Sequence, residues 1–227
     1  MSAFDRVTDT WGDLKYMDLP RAEYLRGLIA TNDLRDLLEL GFYKGKSSAY
    51  FGAMLEDLGR GHLITMDRAT ARGHRPGIVD VLADLGLSHR VTPIFADRSF
   101  TWELGSMLEQ TPRPRFDFCY LDGGHTWDVT GFAFLLVDMM LRPGGIIVLD
   151  DLDWSIATSP QARTPDGQRT YAAYSDDEKA AKGVRMTFTH IAHHLGYDVE
   201  EVPRFHWGIA RKQAPRRRLS LRAIRSA

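Results

Sequence analysis

Residues 35–48 read R-D-L-L-E-L-G-F-Y-K-G-K-S-S, and this stretch decides the fold. Arg35–Leu40 is an apolar run of strand length that stops at Gly41. Lys46–Leu58 then takes helical spacing, with Tyr50, Phe51, Met54, Leu55 and Leu58 on one face. A strand that turns through glycines into a helix opens a βα unit, and the unit repeats downstream. His62–Asp67, Arg90–Asp97, Phe116–Asp122 and Gly145–Asp150 read as strands; Ile78–Leu85, Trp102–Gln110 and Trp127–Leu141 read as the helices between them. This alternation predicts right-handed crossovers and a parallel sheet covered by helices on both faces. Pro93 marks the third strand as a sheet edge or an irregular strand.

Further segments flank this pattern. Arg21–Ile29 has helical spacing inside an N-terminal helical segment, residues 1–34. Residues 152–174 are rich in Ser, Thr, Pro, Gly and Gln and read as a long loop over the site. Ser175-Asp176-Asp177-Glu178 reads as a capping box that opens a helix to about Leu195. Tyr197–Val202 and His206–Arg211 suggest an antiparallel pair. The α/β domain therefore spans 35–212. Residues 213–227, with Arg216, Arg217, Arg218, Arg222 and Arg225, form a basic tail expected to be disordered.

The bulk properties narrow the function classes. A chain of 227 residues, 44% hydrophobic, suits one α/β domain with a sizeable core. A formal net charge of −1 gives no global field favouring nucleic acid or an anionic membrane. Cys119, the single cysteine, lies in the run F-D-F-C-Y-L as a small core hydrophobe, and a chain without a disulfide framework suits the cytoplasm. Met1–Arg6 has no apolar stretch of the kind a secretory leader needs, and no apolar run is long enough to span a bilayer.

In open α/β sheets ligands bind beyond the carboxyl ends of the strands. Those ends carry Glu39, Gly41 and Gly45; Asp67; Asp97; Asp122 in D-G-G-H; and Asp150 with Asp151. The two glycines let the backbone bend sharply and a ligand approach closely. Tyr43 stands where the middle glycine of a dinucleotide motif would be, which counts against a nicotinamide-dependent oxidoreductase. Asp67 is placed to accept from ribose hydroxyls, or else to cap Arg68–Thr70. Asp97 is placed near an adenine edge, or else caps the helix after Ser99. Asp122, Asp150 and Asp151 on two adjacent strands would crowd three carboxylates, which a hard divalent cation neutralises. The competing reading is that some of them merely cap helices or accept loop amides. His125, three residues past Asp122, is the candidate general base. Trp154, Tyr171 and Tyr174 are candidate acceptor contacts.

E-L-G-F-Y-K-G-K-S-S, F-D-F-C-Y-L-D-G-G-H-T-W-D and L-R-P-G-G-I-I-V-L-D-D, in that order, resemble class I S-adenosylmethionine-dependent methyltransferases. The likeness is to small-molecule O-methyltransferases of the macrocin type and covers about Leu37–Leu152. It implies a Rossmann-like methyltransferase fold: a mostly parallel seven-stranded sheet, helices on both faces and an antiparallel C-terminal strand. It further implies that Glu39, Gly41, Gly45, Ser47, Asp67, Asp97 and Asp122 bind S-adenosylmethionine. Asp122, Asp150 and Asp151 match metal ligands for Mg²⁺ (or Mn²⁺ or Ca²⁺), and His125 matches the base, with Asp122 beside it in the catalytic group. Catechol-type relatives carry lysine at the position of His125 and asparagine at that of Asp151. The implied acceptor is therefore a hydroxyl of a sugar or other natural product. A cofactor-binding protein without turnover is the remaining alternative. The expected partner is a small molecule, not nucleic acid and not a membrane: the fourth strand ends in L-D-G-G-H, unlike the N/D-P-P-Y of base-amine methyltransferases. A homodimer is the default assembly.

Overall fold

The computed structural model describes residues 1–214, so the arginine-rich part of the tail lies outside the described residues. Seven strands run β1 (Asp36–Leu40), β2 (His62–Arg68), β3 (Val91–Ala96), β4 (Phe116–Leu121), β5 (Leu141–Leu149), β6 (Asp198–Val202) and β7 (Trp207–Arg211). They form one sheet in the order β3-β2-β1-β4-β5-β7-β6. The first five are parallel, and β7 runs antiparallel to both β5 and β6. This is the expected Rossmann-like sheet, and the strand bearing Pro93 is its edge, where a missing N–H costs no ladder bond.

Side chains alternate across the strands, so each central strand feeds two cores. One face carries Leu37, Phe118, Tyr120, Ile146 and Val148, under the helices α1 (Ala3–Trp11), α2 (Leu19–Thr31), α3 (Lys46–Asp57) and α4 (Ile78–Asp84). The other carries Leu38, Leu40, Cys119, Leu121, Ile147 and Leu149, under α5 (Phe100–Leu108), α6 (Trp127–Met140) and the segment containing Val184 and Phe188. Cys119 is buried among them. No helix among the described residues is long and apolar enough to cross a membrane.

Four local departures from the sequence reading have physical causes. Helix α1 lies ahead of the expected N-terminal helix: Ser2 and Asp5 form a capping box, and Asp57 of α3 accepts from the amides of Ala3 (2.7 Å) and Phe4 (3.2 Å). Strand β5 begins at Leu141, directly after α6, with an irregular register between Phe116 and Phe118 that absorbs Pro143-Gly144. The 152–174 loop contains the short helix Pro165–Thr170. The helix opened by Ser175 stops at Ala180 and resumes at Gly183, then becomes π-helical over Thr187–Ala192. The interruption lets the chain press against the start of α6: a Cβ on Gly183 would lie 2.4 Å from the Trp127 nitrogen.

The carboxyl ends of β1 and β4 close on each other at the centre of the sheet. The Asp122 amide donates to the Leu40 carbonyl (2.9 Å), and the Gly41 amide to the Met66 carbonyl (2.7 Å). Gly41 has φ +100°, and a Cβ there would stand 2.2 Å from the Asp122 carbonyl oxygen. Both the backbone angle and the contact exclude a side chain. Gly41→Ala is expected to lower stability by about 3 kcal/mol, at the upper end of overpacking costs, in urea unfolding. A loss below about 1 kcal/mol would mean that the two strand ends are not held this tightly.

Candidate active site

The glycine turn after β1 is held from the next strand. The Asp67 carboxylate at the end of β2 accepts from the amides of Phe42 (3.1 Å) and Tyr43 (2.7 Å), and from Arg68 N (2.7 Å). Asp67 thus stands at the expected strand end but spends its oxygens on the turn itself. Tyr43, with φ 49°, fills the position between Gly41 and Gly45 and packs edge-on against Tyr16 (5.3 Å) and His74 (4.5 Å). Asp97 is exposed just past β3.

Beneath the turn lies a buried carboxyl group. Glu39 accepts from Ser48 Oγ and from Thr65 Oγ1 (2.5 Å) through one oxygen. Its other oxygen is buried without a hydrogen-bond partner among the described residues. Burial pushes its pKa up to about 7, against the pull of the hydroxyls of Ser47, Ser48 and Thr65. Ser47 is buried beside it in the first turn of α3. Lys46, the preceding residue, reaches the other way and donates to the carbonyls of Gly12 (2.6 Å) and Leu14 (2.7 Å), tying the N-terminal segment to α3.

Three side chains converge beyond β4 and β5. His125 Nε2 lies 3.4 Å from an oxygen of Asp122 and 3.4 Å from an oxygen of Asp151. One donor atom from each of the three can be chosen so that all lie within 4.8 Å of one another. Burial raises the Asp122 pKa well above its ordinary value, and the charges of Asp151 and Glu39 add to this. Burial lowers that of His125, while Asp151 and Asp150 oppose the shift. The His125 ring also stacks on Trp154, with centroids 5.1 Å apart. Asp151 holds φ 60°, a left-handed conformation that an aspartate tolerates better than most residues and that re-aims the chain at the end of the strand.

Asp150, the third aspartate of the grouping expected from the sequence, lies outside this tight set of donor atoms, although its charge still acts on His125 and it feels those of Asp122 and Asp151. The strand ends at Leu149, and the left-handed turn at Asp151 redirects its side chain away from that of Asp150. The Asp150 carboxylate accepts from the Tyr120 hydroxyl, from Trp207 Nε1 (2.7 Å) and from the Asp151 amide (2.7 Å). It holds β4, β5 and β7 together at the floor of the site. His125, expected as a base over the same pocket, lies with Asp122 and Asp151 in that tight set. Tyr120 and Trp207 escaped the sequence reading: one is an ordinary inward position of a strand, the other sits in a short strand with no motif. Of the aromatic candidates, Trp154 and Tyr174 line a cleft beside His125, and Tyr171 packs edge-on against Tyr174 (5.7 Å).

A mostly parallel sheet covered on both faces, with a glycine turn after β1 and a buried acid beneath it, places the chain among Rossmann-like α/β proteins, whose ligands bind at this end of the sheet. Residues 38–152, half of the chain, match the family described as a methyltransferase domain, and the chain belongs to that family. No curated protein matches the sequence. Several solved structures share the fold. A candidate caffeoyl-CoA O-methyltransferase from Staphylococcus aureus is 15% identical with TM-score 0.66, over 93% of each chain. The O-methyltransferase TomG of Streptomyces achromogenes, involved in tomaymycin synthesis and solved with S-adenosylmethionine, is 19% identical with TM-score 0.61, over 94% of this chain and 91% of TomG. An O-methyltransferase from Bacillus cereus, solved with S-adenosylhomocysteine, is 16% identical with TM-score 0.62, over 92% of this chain and 90% of its own.

The two aspartates at the end of β5 should separate cleanly. Asp150→Ala leaves the Tyr120 hydroxyl and the Trp207 indole N–H without their acceptor and is expected to cost about 1–3 kcal/mol in urea unfolding. Asp151→Asn, at a half-exposed side chain whose backbone angle asparagine also accepts, is expected to change stability by less than about 0.5 kcal/mol. Equal effects would mean that the carboxylates do not divide these roles.

Proposed function

We propose that the chain is an S-adenosylmethionine-dependent O-methyltransferase acting on a hydroxyl of a small molecule, in the manner of the macrocin-type enzymes it resembles. The observation that carries the proposal is His125, set between Asp122 and Asp151 beside the glycine turn of a methyltransferase domain. Two solved neighbours described with S-adenosylmethionine or S-adenosylhomocysteine support the choice of cofactor.

The residues present fit that cofactor. The unpartnered oxygen of Glu39 is an acceptor for its amino group, and the positive-φ turn at Gly41 brings the loop backbone within reach of the same ligand. Ser47, Asp67 and Asp97 would hold the rest, with Asp67 sharing its oxygens between the turn and the ribose. When bound, the cofactor supplies a methyl group on a positively charged sulfur. The donor set also fits a divalent cation such as Mg²⁺, held by Asp122, His125 and Asp151: two carboxylate oxygens and an imidazole nitrogen converge, and crowding of the acids leaves negative charge to be neutralised. Such an ion would polarise the acceptor oxygen and lower the pKa of its hydroxyl.

The chain's own side chains then divide the work. Trp154 and its loop exclude water and fix the His125 ring. His125 Nε2 accepts the proton of the acceptor hydroxyl as the methyl group moves, and Asp122 and Asp151 stabilise the imidazolium that results. One nitrogen cannot bind a cation and accept a proton together. A cation on Asp122, His125 and Asp151 would take that nitrogen, whereas a cation on Asp122, Asp150 and Asp151 would leave His125 free as the base.

Calorimetry of the purified protein with S-adenosylmethionine, with and without Mg²⁺ and with NAD as control, tests the reading. Binding of S-adenosylmethionine and none of NAD is expected. Absence of S-adenosylmethionine binding would end the methyltransferase reading. His125→Ala is expected to lower kcat by about 10²–10⁴-fold while cofactor affinity stays within about twofold. EDTA should abolish turnover if a cation is required, and in that case Mg²⁺ affinity lost in His125→Ala marks the histidine as a ligand while affinity kept marks it as the base.

A further inference from the structure

Beside His125 the chain forms a cleft of about 410 Å³ between the start of α6 and the 152–186 segment. Trp127, Trp154, Tyr174 and Met186 line it, and Asp128 and Glu178 are the only charged lining residues among those described. Among the described residues, no lysine, arginine or histidine lines it. The two carboxylates are close enough for the charge of Asp128 to act on Glu178.

The cations nearby are already committed elsewhere. Lys182 and Arg185 both reach Asp153, at 2.7 and 3.1 Å, and Arg185 also pairs with Glu201 at 3.0 Å. Lys179 lies 3.8 Å from Asp176. Among the described residues, the guanidinium and ammonium groups that stack on aromatic rings do so on Phe4, Tyr24, Tyr43, Phe95 and Phe205, none of which lines this cleft. The described lining is thus an open cage of aromatic and acidic side chains without a cation of its own; Glu178 also accepts from Ser175 N (2.7 Å) and Oγ (2.8 Å) and feels the charge of Lys179, while no described hydrogen bond or ion pair engages Asp128. Such a cage attracts a cation twice, through the ring quadrupoles and through the carboxylates. An anionic acceptor, such as an acyl group carried on a phosphate-bearing thioester, would meet repulsion and no counter-charge.

We infer that the methyl acceptor carries a protonated amine on an apolar or aromatic body, with the amine held in the cleft of Trp127, Trp154, Tyr174, Asp128 and Glu178. The inference rests on the methyltransferase reading for the identity of the occupant as acceptor; the charge preference of the cleft stands apart from it. Trp154 links the two, since it lines the cleft and stacks on His125, so an occupant seated there lies beside the proton-accepting nitrogen.

Tyramine, N-acetyltyramine and 4-hydroxyphenylacetate share a ring and a hydroxyl and differ in charge, and serve as probes. Each is titrated calorimetrically into the full chain, with and without S-adenosylmethionine, and into the double variant D128N/E178Q. Glutamine at position 178 can still close the capping box with Ser175, and circular dichroism checks that the variant is folded. The expected result is tyramine binding at least about tenfold tighter than 4-hydroxyphenylacetate, with N-acetyltyramine between them. In the double variant the preference should fall below about threefold while S-adenosylmethionine binds as before. Equal binding of the three probes, preference for the acid, no binding of any probe, or a full preference kept by the folded variant would each overturn the inference. Loss of S-adenosylmethionine binding by the native chain would instead strike the methyltransferase reading and leave the charge preference of the cleft standing.

Discussion

The contact between Gly41 and the Asp122 carbonyl is the constraint on which the rest of the molecule depends. Two central parallel strands end at the same level, and their following loops share one small space. Only a residue without a Cβ lets them do so. Because the loops meet there, the turn after β1 faces the D-G-G-H loop after β4, and a ligand cradled by the first is presented to His125 on the second. Asp67 then fixes the turn from β2, and Asp150 fixes the floor from β5, through Tyr120 and Trp207. The site is a set of strand ends clamped to one another by carboxylates that accept backbone amides and side-chain donors.

That construction concentrates acid. Glu39, Asp122, Asp150 and Asp151 crowd one end of the sheet, and burial raises the pKa of the first three. Asp150 offsets the cost with two side-chain donors and a backbone amide, and Glu39 with two hydroxyls. Asp122 has no comparable set of donors; its neighbour is an imidazole held between two acids. Buried charge without a partner is expensive, and where it persists it marks a place made for chemistry or for a ligand.

Much of this was legible in the sequence because it depends on period and order. Alternating strands and helices, the glycine turn and an acid at each strand end follow from residue spacing, and Pro93 pointed correctly to a sheet edge. Which of two adjacent aspartates faces the site was not legible. Asp150 and Asp151 are told apart by Trp207, 57 residues later in the chain, whose indole N–H donates to Asp150. The break between Ala180 and Gly183 was equally hidden, because Ser175–Glu178 announces a helix start and nothing nearby announces its end; packing of Gly183 on Trp127 ends it. The cleft escaped for the same reason. Its walls come from Trp127, Trp154, Tyr174 and Met186, which are distant in sequence and become neighbours only once the segment after β5 folds back over α6.

The central claim is that cofactor and chemistry meet across the β1 and β4 loops. A crystal structure of the full chain grown with S-adenosylhomocysteine tests it most directly. The account predicts the amino-acid end of the ligand against Gly41 and Glu39, its ribose at Asp67, and its sulfur on the side of the turn that faces His125. A ligand bound elsewhere, or bound with its sulfur turned away from Asp122 and His125, would contradict the account.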